Sequence, residues 1–325
     1  MAQKEDWVIP PPLRPNPKRW GFDVELALTS VVALRSEIPE DAFTAGTLGT
    51  LREGNGVVVG TDGLVLTIGY LIQEAETIWL TAESGLVVSA HVVGYDPETG
   101  FGLVQALGRL PLPARELGDS GAIQSGNEVI VAGSGGIERA LKARVVGKRE
   151  FAGYWEYLLD EAIFTAPAHP SWGGAAMIGQ DGKLLGVGSL RVEHAGSEGT
   201  RHDVNMIVPI NLLKPVLPDL RQFGRPQRPS RPWLGMYTIE NQERLVVAGV
   251  SDGGPAQRAG LRVGDIVSAV AGEPVTTLAS LYRRLWKLGE AGVAVPMLVE
   301  RDGSRLAMSV KSASRTKFLK APRLH

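Results

Sequence analysis

The sequence predicts a mainly β protein, and three observations support this. The chain of 325 residues contains 40 Gly and 21 Pro, which favours frequent turns over long helices. Short apolar runs rich in β-branched residues recur along most of the chain, separated by Gly-containing turns. Helical periodicity is confined to a few short stretches. Together these features predict barrels or a sandwich, and the length allows a second domain.

The predicted strands follow one another from about residue 30. They cover residues 31–34, 56–60, 64–67, 77–81, 85–93, 128–132, 140–148, 157–164, 183–188 and 204–209. Residues 211–217 predict one late helical turn, which we expect Pro218 to close. We assign residues 30–218 to the first domain.

Two proline-rich segments flank this domain. Residues 1–29 form an N-terminal arm with five prolines between residues 10 and 17, a composition that favours extended polyproline conformation. The arm could be a flexible leader, but Trp7, Trp20 and Phe22 favour an arm that folds only when buried against another chain. Residues 219–231 are rich in Arg and Pro, which indicates a stiff, solvated linker between domains.

Composition excludes several classes of function. The net charge of −1 gives no electrostatic reason to expect nucleic acid as a partner. The chain has no cysteine, so disulfides and thiolate metal sites are excluded. We expect no metal site and no cofactor. The N-terminus lacks a secretory pattern and a membrane-spanning stretch, so we expect a cytoplasmic protein without membrane insertion.

Residues 232–312 resemble a PDZ domain. The specific features are the pattern G-P-A-x-x-A-G-L-x-x-G-D-x-I from Gly254 and an apolar-Gly-apolar loop before a strand. The resemblance implies a groove for C-terminal peptides, where loop N–H groups bind the carboxylate and a strand pairs with the peptide. The expected peptide-binding residues are Trp233, Leu234, Gly235, Met236, Tyr237, Thr238, Ile239, Leu281 and Leu285. Residues 313–325 are expected to be a loose basic tail.

The first domain resembles the trypsin-like serine proteases of the HtrA/Deg type. Segment 62–72 follows their D-G-(Y/L)-I-L-T-N-N-H-V-(V/I) motif, and segment 93–104 follows V-G-x-D-P-x-T-D-(L/I)-A-(V/L)-(L/V). Segment 169–178, beginning H-P-S-W-G-G, aligns with the nucleophile loop N-P-G-N-S-G-G. The resemblance implies two packed six-stranded antiparallel barrels with the site in the cleft between them.

On this alignment all three triad positions are changed. The histidine, aspartate and serine positions hold Tyr70, Gly100 and Gly173. A serine nucleophile needs a base within hydrogen-bond reach, and that base needs an orienting group. A phenol with a pKa near 10 is a poor base at neutral pH. We therefore predict a pseudoprotease, not an active enzyme.

Ser171, Trp172 and Gly173 form the vestigial oxyanion loop. Its N–H groups could still bind an anion, or Trp172 could plug a collapsed loop. The predicted function is a scaffold or structural subunit that binds protein partners or C-terminal peptides through the PDZ domain, in a homotrimer or a hetero-complex. The alternatives are an HtrA/Deg-type endopeptidase with a non-standard nucleophile such as Ser171, and a chaperone-like holder of unfolded polypeptide.

Overall fold

The computed structural model describes residues 7–195 and 201–320. Their contacts divide them into two compact units. Apart from the undescribed residues 196–200, the first unit comprises residues 7–149 and 161–226, and the second comprises residues 150–160 and 227–320. No helix of the described segments is long and apolar enough to cross a membrane.

The first unit begins with a closed six-stranded barrel. Its strands are β1 (Val31–Glu37), β2 (Leu51–Val58), β3 (Leu64–Ile68), β4 (Thr77–Thr81), β5 (Val87–Tyr95) and β6 (Phe101–Ala106). They close in the order β1-β2-β3-β6-β5-β4, and every neighbouring pair is antiparallel. Side chains such as Leu34, Leu66 and Leu103 fill the interior and are almost completely buried.

A second closed barrel completes the first unit. Its strands are β7 (Glu128–Ala132), β8 (Ala140–Gly153), β9 (Tyr157–Ala166), β10 (Ala176–Ile178), β11 (Leu184–Ala195) and β12 (Arg201–Pro209), in the order β10-β11-β12-β9-β8-β7. Val131, Ile163 and Ile207 lie fully buried in its core. The predicted mainly β, trypsin-like fold is confirmed.

Every predicted strand of the first unit is present, but two strands were missed. Strand β6 is buried on both faces, so it lacks the alternation that marks a half-exposed strand. Strand β10 has only three residues. The predicted helix 211–217 is wrong in detail: a 3₁₀ turn covers Ile210–Leu212, and helix α3 covers Leu217–Phe223. Pro218 lies in the first turn of α3, where its missing N–H costs nothing, and α3 occupies the first residues of the predicted linker.

The N-terminal arm packs on its own chain. The Ile9 N–H donates to the Glu138 carbonyl at 2.8 Å, and the Ile9 side chain is buried in the core of the second barrel. The Trp7 ring meets the His169 ring edge-on at 5.4 Å. Phe22 packs on Gly182, where a Cβ would lie 2.8 Å from the ring. The sequence-based reason for expecting the arm to fold only against another chain therefore no longer holds, although residues 1–6 lie outside the described residues.

Two short helices also lie in the first unit, α1 (Val24–Leu28) and α2 (Ala45–Leu48). Asp23 caps α1 by accepting a hydrogen bond from the Leu26 N–H at 3.0 Å, as expected of an aspartate at this position.

The second unit is a six-stranded sheet with two helices. Strands β13 (Met236–Asn241), β14 (Arg244–Val250), β15 (Ile266–Val270), β17 (Ala294–Arg301) and β18 (Ser304–Lys311) follow in that order, and β16 (Glu273–Pro274) pairs with β15. Helix α4 covers Pro255–Arg258 and helix α5 covers Leu278–Lys287. A capping box of Thr277 and Ser280 starts α5, so local sequence fixes where this helix begins.

The predicted loose tail is partly ordered. Ala313 pairs with Trp233, a 3₁₀ turn covers Arg315–Lys317, and the Phe318 ring lies 4.9 Å from the Trp233 ring. Burial of these aromatic rings against each other explains why the basic composition did not leave this segment unstructured. Residues 321–325 of the predicted tail lie outside the described residues.

Candidate functional sites

The fold of the first unit brings Tyr70, Gly100 and Gly173 together. Tyr70 lies in a 3₁₀ turn after β3, and Gly173 lies in the loop before β10. A Cβ placed on Gly173 would lie 2.7 Å from the Tyr70 hydroxyl oxygen. The Gly69 N–H donates to the Gly100 carbonyl at 2.6 Å, which places position 100 beside position 70. The three segments therefore meet in one place between the two barrels.

The Tyr70 hydroxyl is held in a fixed position. It donates to the Ser189 carbonyl at 2.9 Å. Burial raises the pKa of this phenol above its ordinary value, and a hydrogen bond with the Trp172 side chain opposes the rise. Because the proton is engaged and the pKa is raised, Tyr70 is neutral at physiological pH and cannot act as a general base. Its hydroxyl instead fills the space that a side chain at position 173 would need.

Asn55 on β2 organises the loop around Gly173. Its side-chain nitrogen donates to the Ser171 carbonyl at 3.1 Å, the Ser171 hydroxyl at 3.0 Å and the Gly173 carbonyl at 3.1 Å. The Asn55 N–H donates to the same Gly173 carbonyl at 2.8 Å. Gly174 follows with φ +75°, and a Cβ there would lie 1.8 Å from the Asn55 carbonyl oxygen. The close approach of these two backbones therefore requires glycine at position 174.

Three backbone N–H groups in and beside the loop 171–173 have hydrogen-bond partners within the chain. Stabilising an oxyanion requires backbone N–H groups that point into the site. The Ser171 N–H instead donates to the His169 imidazole Nδ1 at 3.1 Å. The Gly174 N–H donates to the Gly188 carbonyl at 2.8 Å, and the Ala175 N–H donates to the Trp172 carbonyl at 3.0 Å. These three N–H groups are therefore engaged within the chain and do not point to an external anion.

Ser171 and His169 do not form a nucleophile–base pair. His169 is fully buried, and its Nε2 lies 2.9 Å from the Arg139 carbonyl. Its Nδ1 lies 3.0 Å from the Ser171 carbonyl oxygen and 3.1 Å from the Ser171 backbone nitrogen, so both ring nitrogens contact backbone groups. Burial lowers the pKa of this imidazole. The Ser171 hydroxyl is hydrogen-bonded to the Asn55 amide and not to the His169 imidazole.

Metal chemistry finds no support in the part of the chain that the structure describes. Within residues 7–195 and 201–320, no three His, Asp or Glu side chains converge as metal ligands do.

The second unit contains a carboxylate site that is already occupied. The N–H groups of Leu234, Gly235 and Met236 donate to the Glu156 carboxylate at 3.0, 2.7 and 3.2 Å. Glu156 lies at the tip of the β8–β9 hairpin, within residues 150–160 of the second unit. Burial raises the pKa of the Glu156 carboxyl to about 7, and the backbone donors oppose the rise. The loop thus binds a carboxylate, and that carboxylate belongs to this chain.

The backbone of the same hairpin pairs with β13 and α5. The Thr238 N–H donates to the Tyr154 carbonyl at 3.0 Å. The Tyr282 hydroxyl on α5 donates to the Gly153 carbonyl at 2.7 Å. Residue 154 lies opposite residue 238, and Glu156 reaches the loop that precedes β13, so the hairpin segment runs antiparallel to β13. This is the mode by which a peptide adds to a sheet edge.

The expected peptide-binding residues have different positions in this unit. Leu234, Met236, Leu281 and Leu285 are fully buried in the core, together with Leu158 of the hairpin. The Tyr237 ring faces the Tyr154 ring at 6.0 Å, and Ile239 is exposed.

Trp233 differs from the expectation. Its N–H donates to the Ala313 carbonyl at 2.9 Å and its ring packs on Phe318, so it takes no part in binding the carboxylate. Pairing with the C-terminal segment, which the sequence motif does not reveal, accounts for the difference.

Comparisons with known proteins agree with this architecture. The family description "Trypsin-like peptidase domain" matches residues 54–187, which include Tyr70, Gly100 and Gly173. The description "PDZ domain" matches residues 246–301.

Several curated proteins are similar along most of the chain. A "Probable periplasmic serine endoprotease DegP-like" of Pseudomonas fluorescens (strain Pf-5) is 26% identical over 266 residues, which cover 78% of this chain and 54% of that protein. A "Serine protease Do-like HtrA" of Bacillus subtilis (strain 168) is 22% identical over 324 residues, covering 89% of this chain and 71% of that protein. The chain therefore spans about half the length of several curated relatives that it matches.

Solved structures share the fold. The structure titled "HtrA-type protease AlgW with decapeptide" superposes with a TM-score of 0.53 at 20% identity, covering 92% of this chain and 98% of that one. A serine endoprotease from Yersinia pestis superposes with a TM-score of 0.50 at 22% identity, covering 91% and 96%. The expected combination of a trypsin-like fold and a PDZ domain is thus confirmed.

Proposed function

We propose that this chain, in which an HtrA/DegP-type trypsin-like peptidase domain precedes a PDZ domain, binds proteins without hydrolysing them. It would act as a scaffold or as a structural subunit of a protein complex. The observation that carries the proposal is the Tyr70 hydroxyl, which is bonded to Ser189 and lies 2.7 Å from where a Cβ on Gly173 would be. A serine nucleophile has no room at this position while Tyr70 stays in place.

The chemistry of the surrounding residues supports the same conclusion. Gly100 and Gly173 offer no side-chain functional atom, and Tyr70 is a neutral donor. Loss of a serine–histidine–aspartate triad lowers turnover by about a million-fold in a well-studied protease. The Ser171 N–H, a potential oxyanion donor, is bonded to His169, so the remaining stabilisation by binding is reduced as well.

The main alternative is an active endopeptidase that uses Ser171. The similar proteins are named as serine proteases, and this favours the alternative. Against it stands the geometry of Ser171, whose hydroxyl contacts the Asn55 amide and not an imidazole. An amide nitrogen is only a donor and cannot accept the serine proton.

Hydrolysis assays separate these functions. We expect unfolded casein and peptide esters to be cleaved at the rate of the buffer alone, both by the wild-type chain and by the Ser171→Ala variant. Wild-type cleavage that disappears in Ser171→Ala would establish the endopeptidase instead. A third function, the holding of unfolded polypeptide, predicts that the chain suppresses aggregation of many unrelated denatured proteins. A scaffold predicts a small, reproducible set of partners in a native pull-down.

We further propose that partner binding uses the PDZ unit and that the protein forms a homotrimer or joins a hetero-complex. Two solved structures of similar fold are titled as complexes with a decapeptide and a tripeptide, and the loop 234–236 here binds a carboxylate. Light scattering of the purified chain, compared with its native pull-down, tests the assembly. A cytoplasmic location completes the proposal, and cell fractionation tests it.

A further inference from the structure

We infer that residues 150–160 are an internal ligand of the PDZ groove, and that the C-terminal segment of a partner binds only by displacing them. This inference rests on the proposed peptide binding and adds its regulation. It also assigns Glu156 as the residue that competes with the partner's terminal carboxylate.

Competition for the same donors is the first argument. The N–H groups of Leu234, Gly235 and Met236 all donate to the Glu156 carboxylate. A C-terminal carboxylate captured by this loop would need the same donors. Each backbone N–H has one hydrogen to donate, so the two carboxylates exclude each other.

The strand edge is occupied in the same way. The Thr238 N–H, which would pair with a peptide backbone, donates to the Tyr154 carbonyl. The Glu156 N–H donates to the Tyr282 hydroxyl at 3.2 Å, and that hydroxyl donates to Gly153. Both walls of the groove, β13 and α5, therefore hold the hairpin tip, and a peptide cannot add to β13 while the tip remains.

The hairpin is held by contacts that a competitor can replace. Arg283 pairs with Glu150 and Asp160 at the two ends of the tip, but these side chains are 42–82% exposed, and exposed ion pairs are weak. Glu156 has φ +61°, a conformation that a non-glycine residue adopts at some cost. Leu158 is buried in the core of the unit, Ala152 packs against that core, and the Tyr154 ring faces the Tyr237 ring. An external peptide with a terminal carboxylate makes equivalent bonds without the unfavourable φ of Glu156.

Removal of the Glu156 carboxylate should open the groove. The three backbone hydrogen bonds to Glu156 contribute enough that losing this set shifts the docked–released equilibrium by about 10-fold or more. The apparent affinity of an external ligand falls in proportion to the fraction of free groove. Peptide affinity should therefore rise about 10-fold in Glu156→Ala, up to the limit at which the groove is fully free.

Fluorescence polarisation on the full chain tests this inference. The probe is a fluorescein-labelled peptide that copies residues 151–155 and ends in leucine with a free carboxylate, and its C-terminally amidated twin is the ligand control. Glu161→Gln is the protein control, because Glu161 lies next to the tip and its side chain is 68% exposed. We expect weak binding to wild type and Glu161→Gln, tighter binding to Glu156→Ala by about 10-fold, and no binding of the amidated peptide.

Two further measurements keep the inference testable if Glu156→Ala folds poorly. Replacing residues 152–158 with a Gly-Ser loop should also tighten binding. In wild type, saturating probe should accelerate hydrogen exchange in residues 150–160. Equal affinity of all variants, or binding without faster exchange of the tip, overturns the internal-ligand inference and leaves peptide binding intact. Absence of binding to every variant refutes peptide binding at this groove as well.

Discussion

The contact between Tyr70 and position 173 predicts a measurable energetic coupling. A Cβ on Gly173 would lie 2.7 Å from the Tyr70 hydroxyl oxygen and 3.6 Å from the ring carbon that bears it. The first distance is closer than side-chain carbons approach an oxygen, whereas the second is ordinary contact. Gly173→Ala should therefore displace the hydroxyl from Ser189 and destabilise the fold by about 1–3 kcal/mol, as overpacking does. Tyr70→Phe removes the obstructing oxygen and should cost about 1 kcal/mol for the lost hydrogen bond.

The double variant gives the decisive number. Once the hydroxyl is absent, the added methyl group meets only ordinary contacts, so Gly173→Ala should cost about 1 kcal/mol less in the Tyr70→Phe background than in wild type. Urea unfolding followed by tryptophan fluorescence measures all four proteins. Gly147→Ala is the matched control, because a Cβ on Gly147 meets no atom within 4 Å. An equal cost of Gly173→Ala in both backgrounds would refute the assignment of the Tyr70 hydroxyl to this space.

Three further predictions follow from other contacts. Gly174→Ala should destabilise the first unit by at least about 3 kcal/mol, because its Cβ would lie 1.8 Å from a backbone oxygen that cannot easily move away. Gly126→Ala is the control: Gly126 also has a positive φ, but a Cβ there meets no atom within 4 Å, so this variant should cost far less in the same urea titration. The pKa of buried His169 is lowered, so its contribution to stability is present above the ordinary pKa of about 6.5 and is lost as the pH falls through the lowered value. The free energy of unfolding should therefore decrease between pH 7 and pH 5. This decrease should be smaller in the His169→Gln variant. The pKa of the Glu156 carboxyl is raised to about 7 in the docked hairpin, so docking is strongest below the ordinary pKa of a glutamate and weakens as the pH rises through 7. Hydrogen exchange of residues 150–160, corrected for intrinsic rates, should therefore be faster at pH 8 than at pH 6 in wild type. In the Glu156→Gln variant the corrected exchange rate should be the same at both pH values.

Local patterns in the sequence predicted most of the strands, but not the segments that pack against the barrels. The run 128–132 predicted β7 with the observed bounds, since apolar runs bounded by turns indicate strands. Pro218 was expected to end a helix, but it begins one, because proline suits the first turn as well as the position after a helix. The docking of Ile9 on the second barrel was not predictable, since its partner Glu138 is far away in the chain and no local pattern encodes that pairing.

The candidate sites show the same limit more clearly. The motif alignment predicted that Tyr70, Gly100 and Gly173 occupy the positions of a protease's histidine, aspartate and serine. The fold brings these three residues together. Asn55 was not predicted as a site residue, although it bonds Ser171 across 116 residues of sequence. Glu156 was missed because its partners lie 78 to 80 residues away, and a glutamate at a hairpin tip is usually solvated.

The most direct test of binding without hydrolysis is covalent labelling by a fluorophosphonate, which reacts with activated serine nucleophiles. The purified wild-type chain and the Ser171→Ala variant are incubated with the reagent, and intact mass spectrometry measures the fraction of each that gains one adduct. We predict no adduct on either protein, because the Ser171 hydroxyl is bonded to the Asn55 amide and not to a base. A stoichiometric adduct on wild type that is absent from Ser171→Ala would contradict the account and show that this chain keeps an active nucleophile.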